Sequence, residues 1–118
     1  NLVDDIGLGS IEYAVEHLGV NLVVVLGHER CGAVDAAVKG GDAHGHIVSL
    51  IKEINPAVEL AKKERGDLLE NSVQANIKAV VQKLKSSQPL LKKFVSEKKL
   101  EIIGARYDLD DGNVSLIK

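Results

Sequence analysis

The sequence predicts an α/β domain with a mainly parallel sheet flanked by helices and a C-terminal edge strand, on three observations. Short β-branched runs alternate with stretches of helical period, the pattern of strand–helix–strand units. Leu22-Val23-Val24-Val25-Leu26 is apolar at every position, as a parallel strand covered on both faces is. Asp110-Asp111-Gly112-Asn113 has turn composition, and Val114 and Leu116 alternate after it as an edge strand does.

Taken in order, Ser10 is placed to cap a helix in which Ile11, Ala14, Val15 and Leu18 fall on one face, and Gly19 stands at its stop. The strand over residues 22–26 follows, ended by Gly27. Cys31 to Val38 resumes a helical pattern of small apolar residues, and the segment from Gly40 to Gly45 is a loop by composition. Ile47, Val48, Leu50, Ile51 and Ile54 set a helix that Pro56 is expected to interrupt or restart. Asp67 and Glu70 have capping-box spacing before a long helix with Val73, Ile77, Val80, Val81 and Leu84 on one face. Ser86-Ser87-Gln88-Pro89 punctuates the chain ahead of a short helix containing Leu90, Leu91, Phe94 and Val95. Leu100 to Ala105 reads as a second buried strand.

The 118 residues are expected to form a single domain, 1–118, with 45% apolar and 27% charged residues to build its core and its surface. Net charge is -2, so the chain has no basic footprint for nucleic acid. No apolar run approaches the roughly 18 residues of a membrane span. A cytoplasmic protein is the expectation, and Cys31, the only cysteine, rules out an intrachain disulfide. There is no methionine, and the chain opens on Asn1-Leu2-Val3-Asp4-Asp5. With so few strands for so many helices, the expectation is a fragment whose N-terminal strands are missing.

Chemistry concentrates in Val25-Leu26-Gly27-His28-Glu29-Arg30-Cys31-Gly32, where a strand ends and a helix begins. His28 and Cys31 form an H-x-x-C pair. An imidazole nitrogen and a thiolate sulfur both suit zinc, at about 2.0–2.1 Å and about 2.3 Å. Gly27 and Gly32 leave room for the backbone to turn around the pair. Spacing alone leaves open that the pair arises by chance and that Cys31 packs as a small hydrophobe. Two ligands are also fewer than the roughly three protein ligands of a catalytic zinc.

The company of this block is more specific. Ser10-Ile11-Glu12-Tyr13-Ala14-Val15, Leu18-Gly19-Val20, Gly27-His28-x-x-Cys31-Gly32-Ala33-Val34, Asn71-Ser72-Val73 with Asn76, and Gly104-Ala105-x-Tyr107-Asp108-Leu109 run in the same order as in the β-class carbonic anhydrases, which the chain resembles nearly end to end. The resemblance implies a parallel-sheet α/β fold, a homodimer or higher homo-oligomer, zinc as cofactor, and reversible hydration of carbon dioxide to bicarbonate by metal-activated water. It matches His28 and Cys31 to two of the family's zinc ligands. The family's first signature, Cys-x-Asp-x-Arg, does not occur in these 118 residues. That departure sets a second reading beside the first: a non-catalytic structural or oligomerisation remnant. A third reading is a hydrolase of a related small molecule such as carbon disulfide.

Other candidates read more plainly. His44 and His46 form an H-x-H pair in a Gly-rich loop, and His17 is a surface or boundary residue. Tyr13 is expected in the core or an interface. Lys92, Lys93, Lys98 and Lys99 read as a solvated helical face. Glu29 and Arg30 are equally compatible with solvent and with a subunit contact.

Overall fold

A computed structural model describes residues 1–118. The elements run α1 (Asp5–His17), β1 (Leu22–His28), α2 (Gly32–Lys39), α3 (Ile47–Ala61), α4 (Leu68–Lys85), α5 (Leu90–Ser96), β2 (Glu101–Tyr107) and β3 (Val114–Ile117). The sheet has the order β1-β2-β3 and is mixed: β1 pairs with β2 in parallel, from Leu22 opposite Glu101 to His28 opposite Tyr107, and β3 returns antiparallel to β2. No helix is long and apolar enough to cross a membrane.

α4 is the element on which the rest is assembled. The Asp67 carboxylate accepts the Glu70 amide at 3.1 Å and so starts the helix where the capping spacing predicts. Val73, Ile77, Val80, Val81 and Leu84 are all buried, each such burial being worth about 1.5–3 kcal/mol. α4 lies across β1 and β2 at close range because two glycines face it. A Cβ added to Gly27 would sit 2.6 Å from Ile77 side-chain atoms, and one added to Gly104 would sit 2.7 Å from Ile77 Cγ2. The Ile77 side chain therefore rests in a cradle made by two neighbouring strands. α3 packs on α4 from the side, burying Ile54, Ala57, Val58 and Ala61.

Three expectations are corrected. Ser10 caps nothing: α1 begins at Asp5, with the Asp4 carboxylate accepting the Gly7 amide at 2.9 Å, and the Ser10 hydroxyl donates back to the Ile6 carbonyl. Asp4 stands at the right offset for the first free amides, so apolar period alone placed the start too late. Pro56 neither breaks nor restarts α3, which runs through it. Lys52, four residues earlier, is exposed, so water can serve the carbonyl that the proline leaves without a donor. β1 is also not covered on both faces. Val25 and Gly27 are buried against α4, whereas Leu22, Val24 and Leu26 are 48, 45 and 49% exposed. By register the same face includes Ile103, Ala105 and Tyr107 of β2 and Val114 and Leu116 of β3, of which Tyr107, Val114 and Leu116 are exposed and Ala105 is buried.

Candidate metal centre

His28 ends β1 and Cys31 is the N-cap of α2, so the pair lies at the carboxyl end of the parallel strands. His28 is exposed and Cys31 is partly buried against the core. Nδ1 of His28 lies 2.9 Å from the carbonyl oxygen of Glu29. A carbonyl oxygen only accepts, so Nδ1 carries the proton, and in the neutral ring this leaves the lone pair on Nε2, the form in which an imidazole takes a metal. Cys31 makes no side-chain capping bond with the helix it precedes.

The side chains of the two residues between His28 and Cys31 lie together, with Arg30 Nη1 3.4 Å from Glu29 Oε1. Glu29 is buried, at 8% exposure. Its Oε1 accepts the Leu109 amide at 2.8 Å, and its Oε2 accepts from Arg106 Nη2 at 3.1 Å. Its own amide donates to the Tyr107 carbonyl at 3.1 Å, one residue beyond the β1–β2 ladder. Arg30 has φ 49°, a left-handed backbone rare for a side chain of this size. Its guanidinium forks onto Asp110, with two bonds of 3.0 Å. Both intervening side chains thus anchor on the segment joining β2 to β3.

Arg106 is the hub behind the pair. Besides Glu29 it meets Glu70 of α4, with Nη2 donating to Oε2 at 3.2 Å and Nε 2.6 Å from Oε1. The latter contact lies off the N–H axis, so it is an ion pair rather than a second hydrogen bond. Asp108 completes the ring at 3.5 Å. The Glu70 hydrogen bond is the main reason the Arg106 pKa is raised, with burial opposing it. Asp110 is held below the usual carboxylate range by its bond from Arg30, and Asp108 by its bond from the Asp110 amide.

These last two shifts carry a pH dependence. A carboxyl whose folded pKa lies below its unfolded value of about 3.9 stabilises the fold above that value. The contribution is lost as pH falls through the folded pKa. The turn at 108–113 is expected to open on acidification below about pH 4. Amide-exchange protection at Asp110 and Asp111, corrected for intrinsic exchange, should fall there and be steady near neutrality. Protection that is flat across that range would contradict it.

As a zinc site the chain's donors fit in kind but not in number. Nitrogen of His28 and sulfur of Cys31 are of the right chemistry, yet no third His, Cys, Asp or Glu joins them. The one group of three such residues is Glu29, Asp108 and Asp110, with ligand oxygens within 4.8 Å of one another. Those oxygens are already bound by Arg30, Arg106 and backbone amides. His17, His44 and His46 are exposed and belong to no such group. Tyr13 is 60% exposed and lies against His17 rather than in the core. Lys92, Lys93, Lys98 and Lys99 are all exposed, but only the first two lie on a helix, since α5 ends at Ser96.

Arg106 is the residue the sequence did not single out, and Glu29 was given neither a buried position nor a partner. One signal was available: Ile102, Gly104 and Arg106 alternate onto the face that meets α4, and a charge at an inward strand position requires a partner.

The family model for carbonic anhydrase matches residues 1–114. Carbonic anhydrase 2 of Mycobacterium tuberculosis is 33% identical over 98% of this chain and 58% of its own length. The carbonic anhydrase of Mycolicibacterium smegmatis is 31% identical over the same shares of the two chains. This chain therefore spans little more than half the length of these relatives. Among solved structures, a tetrameric β-carbonic anhydrase of Sordaria macrospora superposes with a TM-score of 0.85 at 24% identity, covering 99% of this chain and 62% of that one. A β-carbonic anhydrase of Aspergillus fumigatus superposes with a TM-score of 0.72 at 28% identity, covering 97% and 57%. The α/β core with H-x-x-C at its carboxyl end and the family match over residues 1–114 agree: the chain belongs to the β-carbonic anhydrase family.

Proposed function

We propose that residues 1–118 form one domain of a zinc-dependent enzyme that interconverts carbon dioxide and bicarbonate, with His28 and Cys31 as two of its zinc ligands. The observation that carries this reading is the His28 ring, whose Nδ1–H is spent on the Glu29 carbonyl so that Nε2 remains for a metal. When bound, zinc would supply a Lewis acid that makes water nucleophilic near neutral pH, for which carbonic anhydrase with three histidine ligands is the familiar case. The chain's own part is to present Nε2 and the thiol side by side and to keep the intervening peptide in place. No third donor joins the pair within one copy, so this reading has a third ligand recruited on assembly. The open apolar face of the sheet supports a homo-oligomer, and the single free thiol suits a cytoplasmic setting.

The shortfall of one ligand favours a second reading, in which this piece is a structural or oligomerisation module that binds no metal. Zinc per chain, measured on size-resolved species of the wild type, His28→Ala and Cys31→Ala, separates the two. The first reading expects close to one zinc per chain in an oligomer, its loss in both variants, and carbon dioxide hydration that follows the zinc. An oligomer without zinc establishes the second. Zinc that persists in both variants removes His28 and Cys31 from the site.

A further inference from the structure

The geometry points to Glu29 and Arg106 as positioning residues for the metal centre, an inference that rests on the zinc reading for its purpose but not for its test. The peptide that matters joins Glu29 to Arg30, because its carbonyl accepts the His28 Nδ1–H. Rotate that peptide and the ring loses the partner that fixes both its tautomer and its orientation. In a metal site, an outer partner of this kind sets how well a histidine binds, and its removal costs about 10–100-fold in affinity.

The peptide is held from both sides. On the Glu29 side, the residue is anchored at its amide by Tyr107, at Oε1 by the Leu109 amide and at Oε2 by Arg106. On the Arg30 side, the left-handed turn is kept by the fork to Asp110. Arg106 in turn is braced by Glu70, so the brace runs from α4 through β2 to the ligand loop. Without the Glu29 carboxylate only the single bond from its amide to the Tyr107 carbonyl remains on that side. The two residues between His28 and Cys31 thus do separate jobs: Glu29 points inward and fixes the histidine, and Arg30 turns the chain so that Cys31 can start α2.

The test reads the tautomer of His28 by nitrogen NMR in the metal-free protein at alkaline pH, where the imidazole is neutral. The wild type should show the Nδ1–H form, and Glu29→Ala should shift His28 toward the Nε2–H form that dominates in free histidine. His17, His44 and His46 lie outside the network and should not change. Cobalt affinity, read by its absorption, should fall about 10–100-fold in the variant. If Glu29→Ala does not fold, Arg106→Lys takes its place, since it keeps a cation beside Glu29 and Glu70 but removes the fork. An Nε2–H form in the wild type overturns the inference. So does a His28 tautomer unmoved by the variant, or a change shared by all four histidines, which would be general loosening. A wild type that takes up neither zinc nor cobalt, yet whose His28 tautomer responds to the variant, leaves the positioning role standing and removes the zinc reading instead.

Discussion

Arg106→Ala is expected to cost about 3 kcal/mol of folding stability, the lower end of the range for breaking a buried ion pair. The side chains involved are 19% exposed for Arg106, 11% for Glu29 and 27% for Glu70. Removing the guanidinium leaves the Glu29 carboxylate nearly out of water with only Arg30, at 3.4 Å, as a cation, and leaves the partly buried Glu70 carboxylate without one. Glu29 retains the Leu109 amide, and Glu70 can turn toward solvent, which is why the lower end applies. Urea unfolding should show the loss as a lower midpoint with an unchanged slope. Lys39→Ala makes the contrast, because Lys39 pairs with Asp35 at 73% and 35% exposure and such pairs contribute about 0–1 kcal/mol. Equal losses in the two variants would show that the Arg106 network is worth no more than a surface pair.

Ile77→Ala should cost about as much or more, in the range of about 2–5 kcal/mol for deleting a large buried aliphatic side chain. Ile77 is 0% exposed and fills the cradle over Gly27 and Gly104. Those glycines sit on strands locked to each other by the parallel ladder, so the cavity cannot close by moving one strand alone. The expected loss therefore lies in the upper half of the range, against a total stability of about 5–15 kcal/mol for a domain of this kind. A loss under about 1 kcal/mol would mean that α4 settles onto the sheet and refills the space.

What could be read from the sequence was what is local. The α4 face, its Asp67 cap, the turn at Asp110–Asn113 and the H-x-x-C block each depend on residues a few positions apart, and the structure places them where their spacing says. The β-branched run announced β1, but apolar residues at every position do not report which face finds a partner. Here Val25 does and Val24 does not. Glu29 and Arg106 lie 77 positions apart, and neither has a neighbour that betrays the other. Of the open alternative for Glu29 and Arg30, solvent or interface, Glu29 takes neither and is buried by a fold contact that sequence periodicity does not encode, whereas Arg30 stays 55% exposed while it pairs with Asp110.

The cradle under Ile77 has a consequence for how the sequence can change over time. Positions 27, 77 and 104 are distant in the chain, yet one side chain is the shared neighbour of both glycines. An alanine at either glycine meets the same isoleucine, at Cγ1 and Cδ1 over Gly27 and at Cγ2 over Gly104, so a valine, which keeps both γ carbons, relieves neither contact and only trimming to alanine clears them. The first such exchange also makes the second easier, because the trimmed side chain leaves room over both strands. The three sites should therefore drift together among relatives, as a linked set rather than as independent columns. A survey of natural variants that treats each site alone would misjudge what any one of them tolerates.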